Sequence, residues 1–171
     1  MKVSELMCSD VSSCGPRTNL AEAAEMLWKG CGALTVVDEK KHVLGIVTDR
    51  DICIALGTRN RRASEIAVEE VMSKNVITCG ADDDMKTVLG TMQARKVWRL
   101  PVVTADKTLR GVVSLSAVVR QSSATGELSH ANVMAVMKRI CERRTDAASL
   151  KGSGAEAASL AKTTAEPSLT R

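Results

Sequence analysis

The sequence contains no phenylalanine and no tyrosine, and Trp28 and Trp98 are its only large aromatic residues. RNA and single-stranded DNA are gripped largely by bases stacked on aromatic rings, so this absence counts against such partners. Histidine is almost as scarce. His42 and His130 lie far apart in the sequence, which leaves no local zinc motif and no cluster of neutral-pH bases. A Walker loop, an H-E-x-x-H helix and a nucleophile elbow are all missing, so no catalytic residue and no metal ligand is assigned and an enzyme is not expected.

No apolar run approaches the roughly 20 residues that cross a bilayer. The start, Met1-Lys2-Val3-Ser4-Glu5, carries an acid and lacks the apolar stretch of a signal peptide. The six cysteines (Cys8, Cys14, Cys31, Cys53, Cys79, Cys141) form no C-x-x-C pair, and a chain with this much apolar content needs no disulfide staples. A cytoplasmic protein without a membrane partner is expected. Lysine and arginine exceed the acids by 24 to 20, a formal charge of +4; so small an excess is weak evidence for a polyanion, and nucleic acid is not expected as a partner.

What the chain does contain is a repeat. Hydrophobic residues are 44% of the 171, enough for a core built from Val, Leu, Ile, Met and Ala. Val3-Ser4-Glu5-Leu6-Met7 is matched by Val68-Glu69-Glu70-Val71-Met72. The same spacing carries Val11 onto Val76, Cys14-Gly15 onto Cys79-Gly80 and Leu20 onto Met85. After a one-residue insertion, Thr35-Val36-Val37 meets Pro101-Val102-Val103, and Gly45-Ile46-Val47-Thr48 meets Gly111-Val112-Val113-Ser114. A fixed internal period decides the architecture before any single residue is interpreted.

Each copy reads as β-α-β-β-α after a short helical turn. A brief strand is predicted around Val11-Ser12-Ser13, followed by a Gly15-Pro16 turn. Asn19 and Glu22 have the spacing of a helix cap, and Leu20, Ala23, Ala24 and Leu27 share one helical face, as do Met85, Val88, Leu89 and Met92. Trp28 is expected to pack with that helix, and Trp98 beside a cleft or a dimer face. The β-rich run Leu34 to Val37, the charged turn Asp38 to Lys41 and the run Val43 to Val47 predict a hairpin, and a helix follows from Asp49 to about Leu56, stopped by Gly57.

The predicted organisation is a first repeat over 2–57, a basic linker over 58–67 and a second repeat over 68–121. Over 128–143, Val133, Val136, Met137 and Ile140 mark an amphipathic helix that packs on the pair or on a partner chain. Residues 145–171 read as a disordered tail.

The residues from Leu34 through Asp38 and Leu44 through Asp51, repeated as Arg99 through Val103 and Leu109 through Ser114, resemble a tandem pair of cystathionine-β-synthase-type (CBS) domains, a Bateman module. The resemblance covers about residues 2–121. It implies an α+β fold of two β-α-β-β-α repeats about a pseudo-twofold axis. It also implies a non-catalytic regulatory module that holds an adenosine-containing small molecule between the repeats and signals to an effector protein through changed packing. AMP, ADP or ATP would be the ligand, alternatively S-adenosylmethionine or NAD, with no required cofactor. Such pairs commonly form homodimers shaped as flat discs. The alternative is a dimeric scaffold that needs no ligand, with the 128–143 helix docking a partner.

In the family motif Gly-x-x-Thr/Ser-x-x-Asp the hydroxyl contacts phosphate and the acid holds the ribose. That maps onto Thr48 and Asp51, with Arg50 as a further phosphate donor. A helix start that exposes free N–H groups suits an anion. Thr48 and Asp51 equally make an ordinary capping box, and the two roles are compatible. Gly45 allows a ligand or a facing strand to come close. In the second copy Ser114 keeps the hydroxyl, but Ala117 replaces the acid, so the Thr48 cleft is expected to be the principal site and the Ser114 cleft the weaker, with Ser116 compensating in part. Family geometry nominates Lys96 and Arg99 to reach across to phosphate, and places Ser13, Cys14, Thr78 and Cys79 near the base.

Overall fold

The β-branched run Ala33–Val37 (β2) and Val43–Thr48 (β3) pair antiparallel in the computed structural model, which describes residues 1–29 and 32–142. The predicted 145–171 tail lies outside the described residues. Asp38 builds the turn between the strands. Its Oδ1 accepts the amide protons of Lys40 at 2.9 Å and His42 at 2.8 Å, its Oδ2 lies 2.9 Å from the His42 ring, and Lys41 turns the chain at a left-handed φ of 64°.

A two-residue strand, Ser13–Cys14 (β1), joins β2 in parallel. It sits slightly later than the sequence suggested. Between them runs the helix Leu20–Trp28 (α1), started as expected by the Asn19 side chain accepting from the Glu22 amide. After β3 comes Asp49–Arg59 (α2). This helix does not stop at Gly57. Nothing approaches a Cβ built there, and the turn closes three residues later at Asn60, left-handed with a φ of 49°.

The second half repeats the pattern with Cys79–Gly80 (β4), Met85–Arg95 (α3), Arg99–Val103 (β5), Leu109–Ser114 (β6) and Leu115–Gln121 (α4). Each half carries a three-stranded sheet, β1-β2-β3 and β4-β5-β6, with its register irregularity at the matching step after Val36 and Val102. The fold is therefore α+β, two equivalent units in one chain.

The unit of sequence is not the unit of packing. The turn Val3–Glu5 docks on the second half: the Val3 and Ser4 amides donate to Asp83 O and Ala81 O, and Val3 and Leu6 are buried with Met85, Val88 and Leu100. Its counterpart Val68–Glu70 docks on the first half, with Val68 N–H donating to Thr18 O and Ile66 and Val68 fully buried among Leu20, Leu34 and Val47. Fully burying a Val or Leu side chain is worth about 1.5–3 kcal/mol, so each half depends on a segment supplied by the other.

The residues just after those turns cross the partner sheet. Cys8 exchanges two backbone hydrogen bonds with Val112, and Ser73 exchanges two with Ile46. Both crossings run beside a glycine. A Cβ on Gly111 would lie 2.5 Å from the Cys8 carbonyl oxygen, and one on Gly45 would lie 2.5 Å from Met72 Sδ and 3.1 Å from Ser73 O. The facing segment explains these glycines. The two hairpin tips also meet, Val43 N–H donating to Lys107 O and Leu109 N–H to Lys41 O. These reciprocal contacts define the pseudo-twofold axis.

The helix predicted over 128–143 is observed as His130–Cys141 (α5). Its Val133, Val136 and Ile140 are buried with the second half's core, against α3 and α4. The apolar stripe is thus used within the chain rather than offered to a partner. The basic linker is tied down as well: Arg59 Nη1 and Arg61 Nη1 lie 3.1 and 2.8 Å from Glu70 Oε2. Among the described residues no helix is long and apolar enough to cross a membrane.

Candidate functional site

Two clefts lie where the halves face each other, one beyond the end of β6 and one beside β3. The first is a cavity of about 330 Å³ lined from one half by Asp10, Ser12 and Lys29 and from the other by Arg99, Ser114 and Ser116. Ser114 caps α4, its Oγ accepting from the Ala117 amide at 3.2 Å and lying 2.9 Å from Ser116 Oγ. Two hydroxyls and a guanidinium therefore share one wall.

Arg99 opens β5 opposite Ser114 in the register. Its Nη2 sits 3.1 Å from where a Cβ on Gly32 would stand, and Gly32 has a left-handed φ of 54°, so a side chain there would be strained and crowded at once. The Arg99 side chain thus spans both halves. It is half-buried and makes no ion pair among the described residues. A half-buried cation with that geometry is suited to an anionic ligand.

The second cleft is smaller, about 170 Å³, lined by Ile46, Asn75, Ile77, Val97, Arg99 and Leu100. Thr48, Arg50 and Asp51, expected to form the principal site, line neither this cleft nor the first; Thr48 and Asp51 open α2, just past Ile46, locked in a reciprocal cap. The Thr48 amide and hydroxyl donate to Asp51 Oδ2 at 2.8 and 2.6 Å, and the Asp51 amide points back to Thr48 Oγ1 at 3.4 Å. The cap uses one carboxylate oxygen and leaves Oδ1 for another partner. Arg50 is exposed beside it.

The other expected residues are placed differently. Lys96 ends α3 in a left-handed turn, φ 54°, and lines neither cleft. Ser13 and Cys14 border a separate crevice of about 760 Å³ whose walls, Arg17, Lys40 and His42 among them, belong to the first half alone. Thr78 is exposed and borders neither cleft, and Cys79 is buried, its Sγ 3.9 Å from Pro101 O. The cleft walls come instead from the residues just before each first strand, Asp10 to Ser12 and Asn75 to Ile77. The signal in the sequence was the repeat itself, which aligns these two stretches.

Burial pushes the Cys14 and Cys79 thiols up to about 11, which leaves roughly a thousandth of each ionised at pH 8. Iodoacetamide at that pH is expected to label Cys8, Cys53 and Cys141, which are exposed, and to spare Cys14 and Cys79 until denaturant is added. Peptide mass spectrometry reads the difference. Rapid labelling of either buried thiol in the native chain would refute its placement. Because the folded state holds these protons longer than the unfolded one, their contribution to stability is complete below about pH 9 and declines as pH rises toward 11.

A family model described as "CBS domain" matches residues 3–58 and 68–124. The chain belongs to the CBS domain family. The CBS domain-containing protein YhcV of Bacillus subtilis is 30% identical over 139 residues, which cover 77% of this chain and 97% of that protein. The uncharacterized protein MK0525 of Methanopyrus kandleri is 28% identical over 121 residues, 70% of this chain, and the match spans 62% of that protein's length. Among solved structures, the CBS domain pair of protein MJ0100, in complex with 5′-methylthioadenosine and S-adenosyl-L-methionine, has a TM-score of 0.64 at 27% identity, over 70% of this chain and 94% of that one. Paired CBS domains are regulatory, ligand-binding modules.

Proposed function

We propose that the chain is a non-catalytic sensor that binds an adenosine-containing small molecule between its two halves and passes the occupancy to a second copy or an effector protein. The observation that carries this reading is the convergence of Arg99, Ser114 and Ser116 on a cleft walled by both halves. A ligand lodged there touches both units, so binding biases their relative packing by as much as its affinity differs between the two arrangements. The complex of protein MJ0100 with 5′-methylthioadenosine and S-adenosyl-L-methionine supports the adenosyl part of the reading.

The two clefts divide the recognition unequally. The Ser114 cleft, at about 330 Å³, falls within the size of known small-molecule sites, roughly 300–1,000 Å³, and holds hydroxyl and guanidinium donors for a phosphate or carboxylate. On the Thr48 side, Asp51 offers the carboxylate that a ribose diol needs but does not line the cavity of about 170 Å³, which would have to widen toward the start of α2, through movement of the Asn75 to Ile77 segment. AMP, ADP, ATP, NAD and S-adenosylmethionine are the ligands to test.

Calorimetric titration of the wild type with these five compounds is the experiment. Binding of at least one below millimolar concentration is expected. Asp51→Ala is expected to weaken the Thr48-side event about tenfold or more, the cost of a lost hydrogen bond to a charged group, and Ser114→Ala with Ser116→Ala to weaken the other. No binding by any of the five would refute the sensor reading. Equal binding by all variants would refute the placement of the sites.

A further inference from the structure

The two halves part company at the opening of their hairpins. Ala33 pairs with Thr48 where Arg99 pairs with Ser114, so the cation of the second half has only a methyl group as its counterpart. The residue before it has changed in the opposite sense. Gly32, beside which the Arg99 guanidinium lies, corresponds in the repeat to Trp98, a large side chain 44% exposed. One side of the axis combines a glycine with an arginine, and the other combines a tryptophan with an alanine. Because Arg99 Nη2 already lies 3.1 Å from where a Cβ on Gly32 would stand, a guanidinium in the symmetric place would crowd the Trp98 side chain. The fold therefore carries one such cation rather than two.

That single guanidinium borders both clefts. In the Ser114 cleft it acts with Lys29 and two hydroxyls, whereas in the smaller cleft it is the only charged residue in the lining. An arginine offers its paired N–H fork to one anionic group at a time. An anion held in the Ser114 cleft both uses that fork and stands as a like charge toward a second anion across it. We propose that Arg99 restricts the chain to one anionic ligand, seated in the Ser114 cleft, and that the smaller cleft takes an uncharged nucleoside beside it. The rule presupposes that adenosine-containing ligands enter these clefts, as proposed above. The smaller cleft suits such an occupant, since Ile46, Ile77, Val97 and Leu100 offer a base apolar contact and no further charge is present to hold a phosphate. Occupancy then reports an anionic and an uncharged ligand together, not the total of either.

Calorimetric titration of the full chain with AMP, with adenosine, and with adenosine after saturation by AMP is the experiment. A second AMP is expected to bind wild type roughly tenfold or more weakly than the first, a coupling of ordinary size, while adenosine binds the AMP-loaded chain one to one. Arg99→Gln is expected to weaken the first AMP and bring the two events within about threefold of each other, with adenosine binding retained. The double variant Ala33→Arg with Trp98→Gly supplies the missing cation and the space for it, and is expected to close the same gap by strengthening the second AMP; circular dichroism verifies that it folds. Salt makes the comparison without any substitution. Raising it from about 0.05 to about 0.5 M shortens the reach of charge and is expected to narrow the gap in wild type. Two equal AMP events in wild type overturn the shared-charge rule and leave the sensor function standing. A gap that survives in Arg99→Gln and at high salt overturns the role of Arg99, and failure of adenosine to bind the AMP-loaded chain overturns the uncharged occupant. Absence of binding by both compounds overturns the sensor function itself, and the rule with it.

Discussion

A Gly111→Ala chain is expected to lose about 3 kcal/mol of stability, the upper end of what overpacking costs, and to melt roughly 6–12 °C below the wild type. The new methyl would stand 2.5 Å from the Cys8 carbonyl oxygen, closer than carbon and oxygen tolerate. That oxygen cannot swing aside as a side-chain end can, because it accepts the Val112 amide at 2.9 Å while the Cys8 amide donates to Val112 O at 2.9 Å. Relief requires the 8–12 segment to lift off β6. The same segment carries Asp10 and Ser12 into the Ser114 cleft, so binding on that side should weaken along with folding. Gly45→Ala is expected to cost less, since its 2.5 Å neighbour is the thioether of Met72, a flexible group, although Ser73 O at 3.1 Å still resists. Thermal melts followed by circular dichroism test the ordering. A Gly111→Ala melting point within 2 °C of wild type would show that the crossing is not tight.

Arg99→Ala is the second large effect, and it falls on affinity. The guanidinium borders both clefts, whereas the equivalent position in the first half is Ala33, so no symmetric residue replaces it. Losing a charge-assisted contact to a phosphate or carboxylate costs about 1.5–3 kcal/mol, roughly tenfold to a hundredfold in dissociation constant. Adenosine, which has no anionic group, should bind wild type and variant alike. The folded chain should lose little stability beyond the packing of the Arg99 stem, because Arg99 makes no ion pair among the described residues. Calorimetry with AMP and adenosine in parallel makes the comparison. If AMP binds both proteins equally, Arg99 does not hold the anion.

Much of the architecture was legible because the chain states it twice. Hydrophobic spacing in α1 and α3, the Asn19 and Thr48 caps, and the matched glycines were all readable locally, and each copy corroborated the other. What was not legible arose from exchange between the copies. The sequence shows Val3 and Val68 as the opening residues of two repeats. It does not show that each is buried in the other's core, since a repeat that serves its neighbour has the same spacing as one that serves itself. The end of α2 was misread because Gly57 suits a helix stop, yet it is tolerated here in an exposed turn.

The site was partly legible for the same reason. Thr48, Asp51, Ser114 and Ser116 stand at helix starts, where the motif puts them. The relative size of the two clefts depends on how bulky side chains such as Ile77 and Val97 fill the space across the axis, and no local pattern encodes that. Cys14 and Cys79 looked close to a ligand because they follow the cleft-lining stretch, but the alternation of a strand turns their thiols into the core. Trp28 was read as packing because a large apolar residue beside a helix stripe normally is. It is 90% exposed instead, because it falls beside the stripe of Leu20, Ala23 and Leu27 rather than on it.

The exchanged turns also impose an order on synthesis. The first half gains its missing piece early, since Ile66 and Val68 follow α2 by only a few residues and can close that core while the ribosome is still making the rest. The second half has the opposite problem. Val3 and Leu6 are made well before Leu100, Val113 and Leu115, with which they are buried, so their segment must wait for β5, β6 and α4. A chain made in that direction therefore completes its second half by seating an earlier segment among later ones, a step that the Met1 carbonyl, which accepts the Met85 amide, helps to hold.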